Sequence, residues 1–465
     1  MKYDDFLALK RMVDPMTGLA DVPDLPECLM PHQRDIVAWS LRRGRAAIFA
    51  GTGLGKTLME LTWAQEVARF TGKPVLVFAP LAVSAQHIRE AEKFGIAARL
   101  VKTQADVGPG VNVTNYQKIE HFDIPAFGGI VLDESSILKS TDGHYRTRLI
   151  EHCRSVPFRL AATATPAPND FMELGNHAEF LGVMSYTDML ATFFVHDGGD
   201  TQKWRLKGHA ENEFWKWMAS WAVMLRKPDD LGYPNDGYDL PELRQKQHLV
   251  SVEYAPSMDT GLLFPVEART MQERIAARRD TVTERVGMAA EITPRDRPFV
   301  WWCNLNAEAD ALAKAIPGAV NLSGSDNEEA KERKLIDFSE GRILTLITKP
   351  SIAGFGMNWQ HCADTGFVGL NDSFEQVFQA IRRFWRFGQT KPVNVHFIAA
   401  ETEGAVVANL RRKEADAERM AAAMVSHMSD LSSVAVRGAV RDRPDYNPAQ
   451  AVIIPAFLEA HHAST

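Results

Sequence analysis

Phe49-Ala50-Gly51-Thr52-Gly53-Leu54-Gly55-Lys56-Thr57 is the stretch that decides how this chain is read. It follows the apolar run Ala46-Ala47-Ile48-Phe49. It precedes a segment in which Leu58, Leu61, Ala64, Val67 and Ala68 recur at helical spacing, while Glu60, Gln65, Glu66 and Arg69 fall elsewhere. The pattern predicts strand, glycine loop, helix. Glycine lacks a Cβ, so backbone N–H groups of such a loop can close around a phosphate, and the helix N-terminus behind it adds partial positive charge. Gly51, Thr52, Gly53, Leu54 and Gly55 would form the cradle, Lys56 would reach the outer phosphates, and the Thr57 hydroxyl would ligate Mg²⁺. Ala50 stands at the first position of the G-x-x-x-x-G-K-[ST] pattern, and a glycine-rich turn with a surface lysine is the alternative reading.

Working outward, 465 residues exceed one compact domain, so two or three are expected. With 45% hydrophobic and 24% charged residues the composition is that of an ordinary soluble globular protein. A net charge of -7 excludes coating nucleic acid by bulk positive charge, so any such contact must use a local patch. Cys28, Cys153, Cys303 and Cys362 show no C-x-x-C spacing, which predicts buried thiols rather than a zinc knuckle or a disulfide framework. No apolar run approaches bilayer length, and Met1-Lys2-Tyr3-Asp4-Asp5 lacks the profile of a signal peptide; a cytoplasmic protein without membrane contact is expected.

Beyond the glycine loop, apolar runs alternate with helical segments. Val75 to Phe78 ends at Ala79-Pro80, Val111 to Thr114 at Asn115-Tyr116, Ile130 to Leu132 at Asp133-Glu134, and Leu160 to Ala162 at Thr163-Ala164-Thr165-Pro166. Continuous apolar strands separated by helices predict a parallel sheet covered on both faces, with ligands collecting at the carboxyl ends of its strands. Two adjacent carboxylates straight after a buried strand are costly unless something nearby needs them. Asp133 is suited to hold Mg²⁺ through its water shell, and Glu134 to orient and deprotonate an attacking water.

Between about 181 and 225 the chain turns aromatic: Tyr186, Phe193, Phe194, Trp204, Phe214, Trp215, Trp217 and Trp221 interleave with Lys203, Arg205, Lys207 and His209. This reads as a helical insertion, whose aromatics either form its core or offer a platform for nucleic acid through Trp204, Arg205 and Lys207. The Pro/Gly/Asp-rich residues 227–240 read as a linker, which divides a first domain at 1–240 from a second at 241–428, followed by a tail at 429–465. The second half repeats the alternation, with apolar runs at 299–302, 343–347, 367–370 and 393–398 and helical segments at 306–316, 327–339 and 373–387. At 100° per residue, Phe374, Val377, Phe378, Ile381 and Trp385 gather on one side of the last of these, and Gln379, Arg382, Arg383 and Arg386 on the other. That basic stripe is either solvated or reaches across a cleft to phosphates held by the first domain, as arginine fingers do. A closing helix is expected over 402–428, and Val452 to Leu458 could dock as an apolar clip.

In combination the motifs resemble those of superfamily-two helicase and translocase ATPases, closest to the Swi/Snf-like branch in a compact phage or bacterial form, over roughly residues 29 to 415. Gly51 to Thr57 resembles M-G-L-G-K-T, Val131-Leu132-Asp133-Glu134-Ser135-Ser136 the D-E-x-x box, and Leu160 to Asn169 the T-G-T-P motif. Ala353-Gly354-Phe355-Gly356-Met357-Asn358-Trp359-Gln360 is similar to motif V, and Gln379 to Gln389 to Q-x-x-G-R-x-H-R-x-G-Q. The resemblance implies two tandem RecA-like parallel-sheet α/β domains with an ATP cleft between them, using ATP and Mg²⁺. It implies that Gln33 reads the adenine edge, that Gly356 lies on the nucleotide side, and that Pro80, Asn115, Tyr116 and Gly354 touch the nucleic-acid backbone. It further makes Thr163, Thr165 and Gln379 coupling residues, with Arg383 and Arg386 as fingers. Ser135-Ser136, Arg382 and Trp385 depart from the family pattern at contacts between domains.

The implied activity is ATP-driven movement on DNA, duplex favoured and RNA not excluded, in the cytoplasm of a bacterial or phage-infected cell. A strand-separating helicase and an ATP-gated clamp that recruits a nuclease or replication partner are the alternatives.

Overall fold

The computed structural model describes residues 16–80, 83–139, 144–167, 170–197, 200–251, 279–353, 358–369, 374–400 and 404–437. Gly354, Gly356, the first fifteen residues and the apolar stretch Val452 to Leu458 lie outside them. Two parallel sheets organise the chain. The first contains β1 (Arg45–Ala50), β2 (Val75–Ala79), β3 (Ala98–Leu100), β4 (Val111–Asn115), β5 (Gly129–Asp133), β6 (Phe158–Thr163) and, beyond an antiparallel hairpin of β7 (Phe194–Asp197) and β8 (Asp200–Leu206), β9 (Ala222–Leu225). Their spatial order is β3-β4-β2-β5-β6-β1-β9. The second contains β10 (Leu243–Val250), β11 (Phe299–Cys303), β12 (Val320–Asn321), β13 (Thr345–Thr348), β14 (Asp364–Val368) and β15 (Val393–Ala400), in the order β10-β15-β14-β11-β13-β12.

Alternation along each strand builds the core. In β1, Ala47 and Phe49 enter the apolar cluster on one face, whereas Ala46, Ile48 and Ala50 enter the cluster on the other. Both faces are covered, which is why these strands read as unbroken apolar runs. All strands of the first sheet run the same way, so Ala50, Ala79, Asn115, Asp133 and Thr163 finish along one edge.

The aromatic segment is core. Phe193, Phe194, Phe214, Trp215, Trp217 and Trp221 are buried in the first lobe, and β9 pairs with β1 as a full strand of the main sheet. The expected helical insertion therefore ends inside the sheet it was thought to interrupt. Two further expectations change. Cys28 is exposed while the other three cysteines are buried, and the closing helix runs Gly404–Arg437, past the expected end at 428. That helix returns to the first lobe: Met424, Val425 and Met428 join its aromatic cluster, Ser433 Oγ donates to the Leu231 carbonyl at 3.3 Å, and the Arg437 guanidinium lies 4.3 Å above the Tyr233 ring. Among the described residues no helix is long and apolar enough to cross a membrane.

The second lobe holds a fully buried ion pair, Arg285 to Glu308 at 2.6 Å. The Asn304 and Leu305 N–H groups donate to the other Glu308 oxygen at 2.9 Å each, and Arg285 Nε donates to Thr281 Oγ1 at 3.0 Å. Removing one partner strands the other charge in an apolar interior. Arg285→Ala is expected to cost about 3–5 kcal/mol, read as a lower urea midpoint of tryptophan fluorescence; a loss under about 1 kcal/mol would mean that water reaches Glu308.

Candidate functional site

The glycine loop leaves β1 and enters the helix Lys56–Thr71. Two of its residues must be glycine. Gly53 has φ 90° and Gly55 φ 78°, and a Cβ on Gly55 would stand 2.3 Å from Gln33 Nε2. Gln33, on the helix Pro31–Arg43, is buried against this loop: its Nε2 donates to the Leu54 carbonyl at 3.0 Å, and its Oε1 accepts from the Met30 N–H at 3.0 Å. The Gly51 N–H donates to the Leu225 carbonyl at 2.9 Å, which ties the start of the loop to β9. Lys56 Nζ donates to the Ala50 carbonyl at 2.9 Å, so its ammonium lies back across the loop.

Asp133 closes β5 and is buried. Its carbonyl accepts from the Tyr116 hydroxyl at 2.5 Å. Glu134 follows with φ 52°, the one positive φ among the described non-glycine residues. A left-handed conformation costs an ordinary side chain about 1–2 kcal/mol. Here it aims the carboxylate at β6, where Thr163 Oγ1 donates to Glu134 Oε2 at 3.3 Å. The same Thr163 oxygen accepts from the Thr165 N–H at 3.1 Å, joining Glu134 to the turn that faces the second lobe.

The second lobe meets the loop through the residues after the helix Phe374–Ile381. This helix is shorter than the expected 373–387, and residues 382–388 form turns. A Cβ on Gly53 would lie 3.0 Å from the Phe387 backbone nitrogen and 3.7 Å from Arg386 Cβ, so turn and loop touch. The turn is held from below. The Trp359 N–H donates to the Arg383 carbonyl at 2.9 Å, Gln360 Nε2 to the Phe387 carbonyl at 3.1 Å, and Trp385 Nε1 to the Pro241 carbonyl at 2.6 Å. Gln389 Nε2 donates to the Gln360, Cys362 and Phe384 carbonyls.

Arg383 is buried; desolvation and the neighbouring Arg386 lower its guanidinium to about 10, while the carboxylates of Glu134 and Asp133 pull the other way. Burial also lowers Arg386, against the pull of Glu90. Arg382 departs from the expected stripe. It lies 4.9 Å from the Phe378 ring and 4.4 Å from the Trp385 ring, stacked among the aromatics and not beside Arg383. Gln379 is buried in the same helix. Between the lobes lies a cavity of about 670 Å³ whose lining includes Thr52, Thr165, Met224, Phe378, Trp385 and Met424.

The residues expected to touch nucleic acid are dispersed. The Pro80 carbonyl accepts from the Val83 and Ser84 N–H groups and so opens the helix Ser84–Lys93, and Asn115 is buried at the end of β4. Tyr116 is buried as well, stacked on Phe78 at 5.8 Å, with its hydroxyl donating to the Asp133 carbonyl. On the hairpin, Trp204 packs 3.7 Å from the His196 ring, Arg205 is exposed, and Lys207 Nζ donates to the Ala191 and Thr192 carbonyls.

Glu60 and His87, both beside Asp133, carry no role in the sequence reading. Glu60 and Glu66, placed off the apolar stripe, are buried because the helix Lys56–Thr71 is enclosed on nearly every side. His87 Nε2 lies 3.4 Å from Glu60 Oε2 and 3.6 Å from Asp133 Oδ2, with all three side chains buried. Burial alone would lower the imidazole, but the Glu60 hydrogen bond and the charges of Asp133 and Glu60 together raise it to about 9. Burial and then Glu60 push the Asp133 carboxyl up to about 7, against His87 and Lys56. Periodicity places Glu60 on a helix but cannot say that neighbours close over it.

No family profile matches the sequence. The chain is 25% identical over 441 residues to protein p41 of Acyrthosiphon pisum secondary endosymbiont phage 1, covering 80% of this chain and 92% of that one. Among solved structures it is similar to the Sulfolobus solfataricus SWI2/SNF2 ATPase core in complex with dsDNA, at 15% identity and a TM-score of 0.42, covering 90% of this chain and 97% of the other.

The raised Asp133 carboxyl has a stability consequence. A folded-state value above the unfolded one means that the native protein holds the proton where the unfolded chain has lost it, so this group's contribution falls as pH rises from about 4 to about 7 and stays unfavourable above. Without nucleotide or Mg²⁺, Asp133→Asn is expected to be more stable than wild type at pH 8 by about 1–3 kcal/mol, with the difference shrinking toward pH 4. Urea midpoints at the two pH values measure it, and a less stable variant at pH 8 would count against a strained carboxylate.

Proposed function

We propose that this chain is an ATP-driven motor on nucleic acid, with duplex DNA as the favoured track. One observation carries the reading: the arginine-bearing turn of the second lobe sits against the glycine loop of the first, and Arg383 shares its electrostatic environment with Glu134 and Asp133. A loop of this kind with a lysine behind it is built for a polyphosphate. Opposed guanidinium groups suit charge that develops on a phosphoryl group during transfer.

In this reading Gly51, Thr52, Gly53, Leu54 and Gly55 supply N–H groups to the phosphates, and Lys56 swings from the Ala50 carbonyl onto the outer ones. Gln33 borders the base and the loop at once, since its amide already spans Met30 and Leu54. Glu134 orients and deprotonates the attacking water, held by Thr163. Arg383 and Arg386 stabilise the transferring group. Thr57 and Asp133 would hold Mg²⁺, and the donor set fits: a buried carboxylate raised to about 7 is short of positive charge. Bound there, the ion would neutralise phosphate charge.

Movement would follow from the Glu134–Thr163–Thr165 connection, which carries the state of the hydrolytic carboxylate to the face that meets the second lobe. Residues 1–240 and 241–428 are proposed as the two moving domains, with residues 429–465 as the tail. Pro80, Asn115, Gly354, Trp204 and Arg205 are the proposed contacts to the track, with Gly356 on the nucleotide side.

Steady-state ATPase with duplex DNA, single-stranded DNA and RNA tests the reading, and ATP-dependent displacement of a triplex strand tests movement. Duplex DNA is expected to stimulate turnover most. Arg383→Ala and Arg386→Ala should each lower turnover by roughly 10³ to 10⁵ with nucleotide binding largely retained, and Glu134→Gln should abolish displacement. Normal ATPase in both arginine variants would remove them from the chemistry. DNA-stimulated hydrolysis without displacement would leave a clamp rather than a motor.

A further inference from the structure

We infer that Glu60 and His87 are positioning residues for Asp133, a pair that aims its carboxylate toward the nucleotide cleft. The inference rests on the nucleotide reading above and deepens it.

Three elements converge on this point. Glu60 lies one turn beyond Lys56 on the same helix, His87 on the helix Ser84–Lys93 that follows β2, and Asp133 at the end of β5. His87 is fixed at both ring nitrogens. Nδ1 lies 3.2 Å from the Val83 carbonyl one turn back, an arrangement that makes it the donor. Nε2 then faces Glu60 Oε2 at 3.4 Å and Asp133 Oδ2 at 3.6 Å. The ring stands between two buried carboxylates that would otherwise repel one another.

Asp133 is thereby held twice, by the Tyr116 hydroxyl on its carbonyl at 2.5 Å and by His87 on Oδ2. The one Nε2 hydrogen goes to Glu60 at 3.4 Å, and the ring packs beside Oδ2, which limits how the Asp133 carboxylate can turn. Glu60 completes the arrangement by holding the ring, which links Asp133 mechanically to the helix that starts at Lys56. An ion pair this deeply buried is poor value as a stabiliser, because an apolar pair of the same volume serves a core at least as well. Its location behind a carboxylate proposed to hold a cation matches what the partners of metal ligands do: they fix orientation, and their loss costs roughly ten- to a hundred-fold in metal affinity.

The test uses the full chain and a fluorescent N-methylanthraniloyl-ADP, titrated once with Mg²⁺ and once with EDTA. The ratio of the two dissociation constants measures what magnesium adds to binding. Glu60→Gln and His87→Gln are each expected to reduce that ratio at least ten-fold, leave the affinity in EDTA within about two-fold of wild type, and raise the Mg²⁺ concentration for half-maximal ATPase. The double variant should do no worse than the poorer single one, since the two act on one carboxylate. A purely structural pair would move the thermal midpoint and leave the ratio alone. That result, in either folded variant, overturns the inference, and Glu60→Gln decides if His87→Gln does not fold. A wild-type chain that binds no adenine nucleotide would instead bring down the functional reading, and this inference with it.

Discussion

The approach of Gly53 to the Phe387 backbone is the contact on which the rest of the arrangement depends. At φ 90° and with 3.0 Å from an added Cβ to the Phe387 nitrogen, any other residue would be strained and would press on the turn. The constraint works in both directions. It demands glycine in the loop, and it demands that the turn after Ile381 be rigid enough to present the same backbone each time the lobes meet. The second demand explains the work done beneath the turn by Trp359, Gln360, Trp385 and Gln389, which bond to its carbonyls or brace it against Pro241. The turn that carries Arg383 and Arg386 is thus held by hydrogen bonds from several sides, and preorganisation of this kind is where electrostatic sites gain most of their effect.

Charge is buried beside the same contact. Asp133 and Arg383 are buried and Glu134 is half-buried, although all three are groups that prefer water. Burial pushes the Asp133 carboxyl up and the Arg383 guanidinium down, so each is held in a form that costs free energy. The left-handed backbone of Glu134 adds a further local cost. A fold devoted to stability alone would have discarded all three. They are kept together at the one edge where five parallel strands end, and the apolar faces on both sides of the sheet supply the stability that offsets them.

What the sequence made legible, and what it hid, divides along physical lines. Strand, loop and helix around Gly51 to Thr57 were readable because apolar runs, glycine spacing and helical periodicity are local signals. So were β2, β4, β5, β6, β11 and β15. Polar strands were hidden: β10, Leu243-Arg-Gln-Lys-Gln-His-Leu-Val250, lies at the edge of the second sheet, where one side faces solvent and charge is an asset against further pairing. β9 was lost among aromatics that belong to the core. Arg382 was misplaced because its helix stops at Ile381, and angles projected beyond a helix end mean nothing. Tyr116 and His87 were beyond reach for a deeper reason: the first was given a surface role and the second none, and only the packing of other elements over them shows what they touch.

The lobes are joined by more than the cleft. Residues between Leu225 and Leu243 connect the two sheets, and the helix Gly404–Arg437 starts at the end of the second sheet and finishes on the first, with Arg437 stacked on Tyr233 of that same connection. One covalent connection and one noncovalently docked helix thus tie the second lobe to the first at neighbouring points. Sliding along the cleft would tear Met424, Val425 and Met428 out of the aromatic cluster. The cavity of about 670 Å³ lies on this side, lined by residues of both lobes and of the long helix. Packed interiors resist continuous deformation, so this space is where the interface is least constrained by packing. Thr165 and Phe378 face that space from opposite lobes, and Thr165 is one hydrogen bond from Thr163 and two from Glu134. A change at the carboxylate therefore has a short path to a part of the interface that is not tightly packed.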